Sequence, residues 1–112
     1  MVVVIPAYEP DYRLENLVSS LKKEKNLKLI VVNDGSSSDD VFNKIKDDVI
    51  ILKHDINLGK GIAMKTGLNY VLNNFKDEGV IFADADGQHS SDDIIKLSLL
   101  LHNKLIIPLR II

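Results

Sequence analysis

Cysteine is absent from the 112 residues. That excludes disulfides, thiolate metal sites and thiol nucleophiles. No apolar run approaches the roughly 20 residues that a membrane-spanning helix needs. The amino terminus, Met1-Val2-Val3-Val4-Ile5-Pro6, has no basic region ahead of its apolar run, so it does not read as a signal peptide. A strong charge of either sign is also lacking, since 14 basic and 16 acidic residues give a net charge of −2. A dedicated nucleic-acid binder would carry a basic field, so nucleic acid is not an expected partner. There is no internal repeat, low-complexity tract or linker. What is present is a chain of one-domain length, 46% hydrophobic and 27% charged. It suits a folded domain with a single real core, cytoplasmic by default.

Short apolar runs alternate with amphipathic stretches. Val2 to Ile5 is a β-branched run stopped by Pro6, as expected of a strand buried on both faces. Asp11 to Lys25 carries Leu14, Leu17, Val18 and Leu21 at helical spacing, and Lys22, Lys23 and Lys25 fall in the expected last turn. Leu27 to Val32 reads as a second strand. Asp39 or Asp40 then caps a short helix toward Ile45. Val49 to Leu52 is a third strand. Asn57-Leu58-Gly59-Lys60-Gly61 breaks the chain before a helix to about Phe75, with Ile62, Leu68, Val71 and Leu72 as its apolar face. Val80 to Ala83 is a fourth strand, Ser91 caps a helix to about Asn103 with Asp92 and Asp93 in its first turn, and Leu105-Ile106-Ile107 is a fifth strand. The pattern predicts an α/β fold: a mostly parallel, Rossmann-like sheet with helices on both faces.

Ligands bind such sheets beyond the carboxyl ends of the strands. The unusual polar residues lie there: Pro6–Pro10, Asn33–Asp39, the residues after Leu52, and Asp84–His89. Gly59-Lys60-Gly61 is not a nucleoside-triphosphate loop, because no Ser or Thr follows the lysine. Nor is it a dinucleotide fingerprint, which belongs after the first strand. Asp84 and Asp86 are two apart at a strand end, so their side chains point the same way. Two carboxylates with nothing basic between them suit Mg²⁺ or Mn²⁺, and Gln88 continues the alternation with an amide oxygen. His89 is a further ligand or hydrogen-bond partner. The bland alternative is a capped turn at Asp84 and a tight turn at Asp86-Gly87.

The loop Asn33-Asp34-Gly35-Ser36 follows Ile30-Val31-Val32. Gly35 allows a sharp turn, and the Asp34 carboxylate is able to accept from the ring N–H of a uracil or guanine; an ordinary Asx turn is the alternative. Tyr8, between Pro6 and Pro10, sits beside a base or packs beneath the loop. Glu9 is a candidate acceptor for ribose hydroxyls. Lys60 lies near a helix start, where N–H groups and the dipole attract anions, so it reaches a diphosphate or is simply solvated. Lys65 and Thr66 are weaker candidates, and His54, Asp55 and His102 read as loop or surface residues.

Val3-Val4-Ile5-Pro6-Ala7-Tyr8, Val31-Val32-Asn33-Asp34-Gly35-Ser36-Ser37, Asn57-Leu58-Gly59-Lys60-Gly61 and Asp84-Ala85-Asp86-Gly87-Gln88-His89 occur in that order. Together they resemble the family 2 glycosyltransferases of GT-A fold, including the dolichyl-phosphate mannose synthase-like branch, from Val2 to about Ile107. The resemblance implies a UDP- or GDP-linked sugar donor, a divalent metal, and transfer to a saccharide or polyprenyl phosphate, usually with inversion. By position, Pro6, Ala7, Tyr8 and Glu9 resemble the nucleoside-side loop, and Asp34, with Gly35, the base contact. Asp84, Asp86 and Gln88 resemble the ribose, metal and diphosphate group, and Lys60 a phosphate contact.

Two departures stand out. Many relatives carry Asn-Glu after the tyrosine, where this chain has Glu9-Pro10. Family members also continue for another half-domain that holds the acceptor pocket and general base. The resemblance therefore implies a single nucleotide-sugar-binding domain over residues 1–112, truncated at its carboxyl end, with no general base identified. Membrane association would then come from a missing segment or partner. Leu105 to Ile112 carries one charge, Arg110, and such an apolar edge invites pairing with a second chain. The alternatives are a minimal transferase acting on a lipid phosphate, and a non-catalytic interaction module that keeps the fold.

Overall fold

The structure is a computed structural model that describes residues 1–86, 91–102 and 110–111. Among them β1 (Val2–Ala7), β2 (Lys28–Asp34), β3 (Ile50–His54), β4 (Val80–Phe82) and β5 (Arg110–Ile111) form one sheet. The strand order is β3-β2-β1-β4-β5 and every pairing is parallel. The helices are α1 (Tyr12–Leu21), α2 (Asp40–Ile45), α3 (Lys60–Asn74) and α4 (Ser91–His102). The expected fifth strand at Leu105–Ile107 lies outside the described residues; β5 is formed by Arg110–Ile111.

Burial on both faces follows from alternation along β1. Val3, Ile5 and Ala7 join a core with Leu14, Leu17, Val18 and Leu21 of α1, Phe42 and Ile45 of α2, and Ile94 of α4. Val2 and Val4 point the other way, to Ala63 and Val71 of α3. The helices thus cover both faces, as the apolar strands require.

Two helices differ from expectation. α1 stops at Leu21, so Lys22 is its cap and Lys23 and Lys25 lie beyond it. The amphipathic pattern ends there, and Glu24 N–H turns back to the Leu21 carbonyl. At its start, Asp11 accepts from Arg13 N–H at 3.0 Å, a cap worth about 1 kcal/mol. In α3 the buried stripe is Ala63, Gly67 and Val71, at i, i+4 and i+8, while Ile62 and Leu72 are exposed. Small residues let the helix lie close on the sheet. A Cβ on Gly67 would come within 2.3 Å of Val4 Cγ1.

Strand order reverses at β1. From β1 the chain steps outward to β2 and β3, then crosses back to lay β4 on the other side of β1. The loops leaving β1 and β4 therefore diverge at their carboxyl ends and leave a crevice there.

Candidate functional site

A cavity of about 480 Å³ occupies that crevice. Its walls are Pro6–Asp11 and Arg13 from the β1 exit and α1, Asp34 from β2, Asn57, Gly59 and Lys60 ahead of and opening α3, and Asp84–Asp86 from the β4 exit. Four segments distant in sequence meet at one place, and Asp34 and Asp86 share it.

At the β1 exit Ala7 is buried and Tyr8 is 57% exposed. Glu9 adopts a left-handed backbone, φ 50°. Its N–H donates to Ser36 Oγ at 2.9 Å, and its carboxylate accepts from Ser37 N–H and from Ser37 Oγ. Glu9 therefore clips the β1 exit to the β2 exit. Asn33 completes that turn, with Oδ1 accepting from Ser36 N–H at 3.0 Å.

Asp34 is 2% exposed and surrounded by donors. Oδ1 accepts from Leu58 N–H at 2.9 Å and bonds His54 Nδ1 at 2.8 Å. Oδ2 accepts from Gly59 N–H at 3.0 Å and Asn57 Nδ2 at 3.2 Å. A carboxylate has about four acceptor positions, so these partners fill it. Burial pushes the Asp34 carboxyl up, but the His54 bond and the Leu58 and Gly59 N–H groups outweigh it and hold it below the ordinary carboxylate value. Gly35 has φ 73°, and a Cβ there would sit 2.2 Å from the Ile56 carbonyl carbon. Its glycine is needed for the close approach of the 56–57 backbone, and Gly35 is not among the cavity walls.

His54 does not belong to a loop, contrary to expectation. It is the last residue of β3, with its side chain 11% exposed. Nε2 bonds Thr66 Oγ1 at 2.8 Å, so the ring joins β2, β3 and α3. The strand run to Leu52 continues two residues further than apolarity alone indicates.

Lys60 opens α3 and its Nζ donates to Asp84 Oδ1. Asp86 is exposed, and its charge helps raise the Arg13 guanidinium, though the Asp11 carboxylate does more. Arg13 holds Asp11 through one two-pronged fork, Nε to Oδ1 at 2.9 Å and Nη2 to Oδ2 at 2.9 Å. Sequence reading missed Arg13. Its signal was a cation in the first turn of a helix, against the dipole. Gln88 and His89 lie outside the described residues.

Charge decides what the cavity is able to hold. Glu9, Asp11, Asp34, Asp84 and Asp86 line it against only Arg13 and Lys60. Such a wall repels a bare diphosphate and favours a cation. Among the described residues no three His, Asp or Glu side chains gather as a metal cage. Asp84 and Asp86 instead both line an open cavity, Asp84 with its carboxylate against Lys60, and one or two carboxylates are what Mg²⁺ takes when phosphates and water complete its shell. The donor set fits that kind of ion.

Residues 2–107 match the model of the family described as glycosyl transferase family 2. The chain belongs to this family. The family 2 chain is 34% identical over 113 residues to the UDP-N-acetylglucosamine–dolichyl-phosphate N-acetylglucosaminyltransferase of Methanococcus voltae, an alignment covering 85% of this chain and 44% of that protein. It is 31% identical over 106 residues to the dolichyl-phosphate β-glucosyltransferase ALG5A of Trichomonas vaginalis, covering 81% and 32%. It is 36% identical over 98 residues to the putative glycosyltransferase CsbB of Bacillus subtilis, covering 78% and 28%. The family 2 chain thus spans less than half the length of these relatives. It is a glycosyl transferase family 2 domain of α/β fold. No helix among the described residues is long and apolar enough to cross a membrane.

Proposed function

We propose that this chain is the donor-binding domain of a family 2 glycosyltransferase, taking a UDP- or GDP-sugar with Mg²⁺ or Mn²⁺ in the cavity between the β1 and β4 exits. The observation that carries this reading is the meeting of four loops at the point where strand order reverses, with two carboxylates and Lys60 at one edge. Asp84 and Asp86 would hold the ion, with Gln88 as the third donor named by the sequence pattern. The ion, when bound, supplies positive charge to the departing diphosphate. Lys60 adds a second cation beside it and exchanges its bond with Asp84 for phosphate. Tyr8 offers a ring face to the nucleoside.

The acceptor is a polyprenyl phosphate, as the names of two relatives suggest for those proteins. A phosphate is already anionic near neutral pH and needs less help from a base than a saccharide hydroxyl, for which a base is typically worth about 10²–10⁴-fold. Transfer proceeds with inversion, on the face of the sugar opposite the diphosphate. The catalytic base and acceptor pocket then belong to a second half-domain beside this one, and membrane association comes with that half or with a partner. Calorimetric titration of UDP and of GDP in the presence of Mn²⁺ tests the donor site. Heat with one nucleotide is expected, with its metal dependence lost in Asp86→Ala. No heat with either at millimolar concentration overturns the reading, and a stable dimer indifferent to nucleotide and metal would favour an interaction module.

A further inference from the structure

Asp34 reads from sequence as a contact to the nucleotide base, yet its carboxylate is filled by this chain's own donors. Those donors share a location. Leu58 and Gly59 form the turn that ends at Lys60, and Asn57 precedes it. The fourth partner, His54, is held from its far side by Thr66 on the second turn of α3. The chain Asp34–His54–Thr66 therefore spans the base of the turn and pins the first turns of α3 to the ends of β2 and β3. Gly59 leaves that turn with φ 97°, a conformation that costs a glycine little and has no side-chain cap of its own. The Asp34 carboxylate supplies the order that the missing cap does not.

Lys60 is the residue this arrangement delivers. Its stem is exposed, with the side chain 61% accessible, so packing does not fix it. Its place at the cavity edge follows from where the backbone of residues 58–60 is held, which brings Nζ within reach of Asp84. We infer that His54, acting through Asp34 and Thr66, is a positioning residue that sets Lys60 against the phosphates of the donor. This rests on the donor-binding reading. His54 touches no ligand; it acts through the turn.

The test compares binding of a nucleoside diphosphate with binding of the bare nucleoside. Calorimetry with Mn²⁺ measures UDP or GDP, whichever the wild-type chain takes, and saturation-transfer NMR measures the matching nucleoside. His54→Ala is expected to weaken the diphosphate roughly tenfold and leave the nucleoside unchanged, because only a charge-assisted contact is lost. Lys60→Ala is expected to do the same, and the double variant to lose little more than either, as required if one residue works through the other. Thr66→Val keeps the Asp34–His54 bond and carries the same test, at about threefold, should His54→Ala fail to fold. Equal losses for nucleoside and diphosphate, or additive losses in the double variant, overturn the assignment while leaving the donor site intact. No wild-type binding of either diphosphate overturns the donor reading and this assignment with it.

Discussion

Replacing Asp34 by Asn isolates the charge at the centre of the site while keeping its volume. The amide oxygen is able to take over two acceptor positions, those facing Leu58 N–H and His54. The amide nitrogen then faces Gly59 N–H, 3.0 Å from the oxygen it replaces, and two donors oppose each other. Asn57 is exposed, and its Nδ2 also donates to the Asp34 carbonyl oxygen at 3.2 Å, so it keeps that backbone bond when its contact with the side chain is lost. One stranded backbone donor costs about 1–3 kcal/mol, and each surviving bond weakens by about 1 kcal/mol on losing the charge. The sum is about 3–5 kcal/mol, set against the ~5–15 kcal/mol available to a domain of this kind. Urea unfolding at pH 7 should show it as a lower midpoint at unchanged slope. The sign with pH follows from the depressed carboxyl. A folded-state pKa below the unfolded value gives stability that is present above the unfolded value and lost as pH falls through the folded one. The gap between wild type and Asp34→Asn should therefore be widest near neutrality and close in acid below the ordinary carboxylate range. A gap under about 0.5 kcal/mol at pH 7, or one of constant size into acid, would refute the account of Asp34 as an internally satisfied anion.

Gly67→Ala should destabilise by about 1–3 kcal/mol, because the added methyl meets Val4 Cγ1 at 2.3 Å and α3 must lift from the sheet; a fall in Tm of several degrees would register it. Glu78 is pushed up by burial but held below its ordinary value by Lys28 and the amino terminus, both of which its carboxylate meets. Glu78→Gln should cost about 1 kcal/mol at pH 7 and nothing once pH is below the folded-state value, read by the same urea series.

Much of the architecture was legible because it rests on simple periodicities. Val2–Ile5, Ile30–Val32 and Val80–Phe82 are too apolar to be anything but strands covered on both faces, and that demand alone implies a parallel sheet between helix layers. The rule that ligands gather at strand carboxyl ends then led to Tyr8, Lys60, Asp84 and Asp86, all of which line the cavity. The α3 stripe was harder. Hydrophobicity favours Ile62 and Leu72, whereas the sheet selects small residues for close approach, and Gly67 carries no hydrophobic signal. His54 was missed because its meaning is long-range: its partners are 20 and 12 residues away. The partners of Asp34 were hidden for the same reason, since backbone N–H groups of a distant turn leave no trace in composition. The ionic fork of Arg13 depends on helix geometry that spacing alone only hints at.

The place of β1 in the sheet has a consequence for synthesis. Its two neighbours arrive at very different times: Lys28 pairs with Val2 early, whereas Val80, which pairs with the same residue from the other side, is made much later. Until then one flank of the most apolar strand lies open, with its amide groups ready to pair with any extended segment. The nascent chain is thus most vulnerable to aggregation while residues 35 to 79 are emerging, and a chaperone that shields an unpaired strand would matter most in that interval.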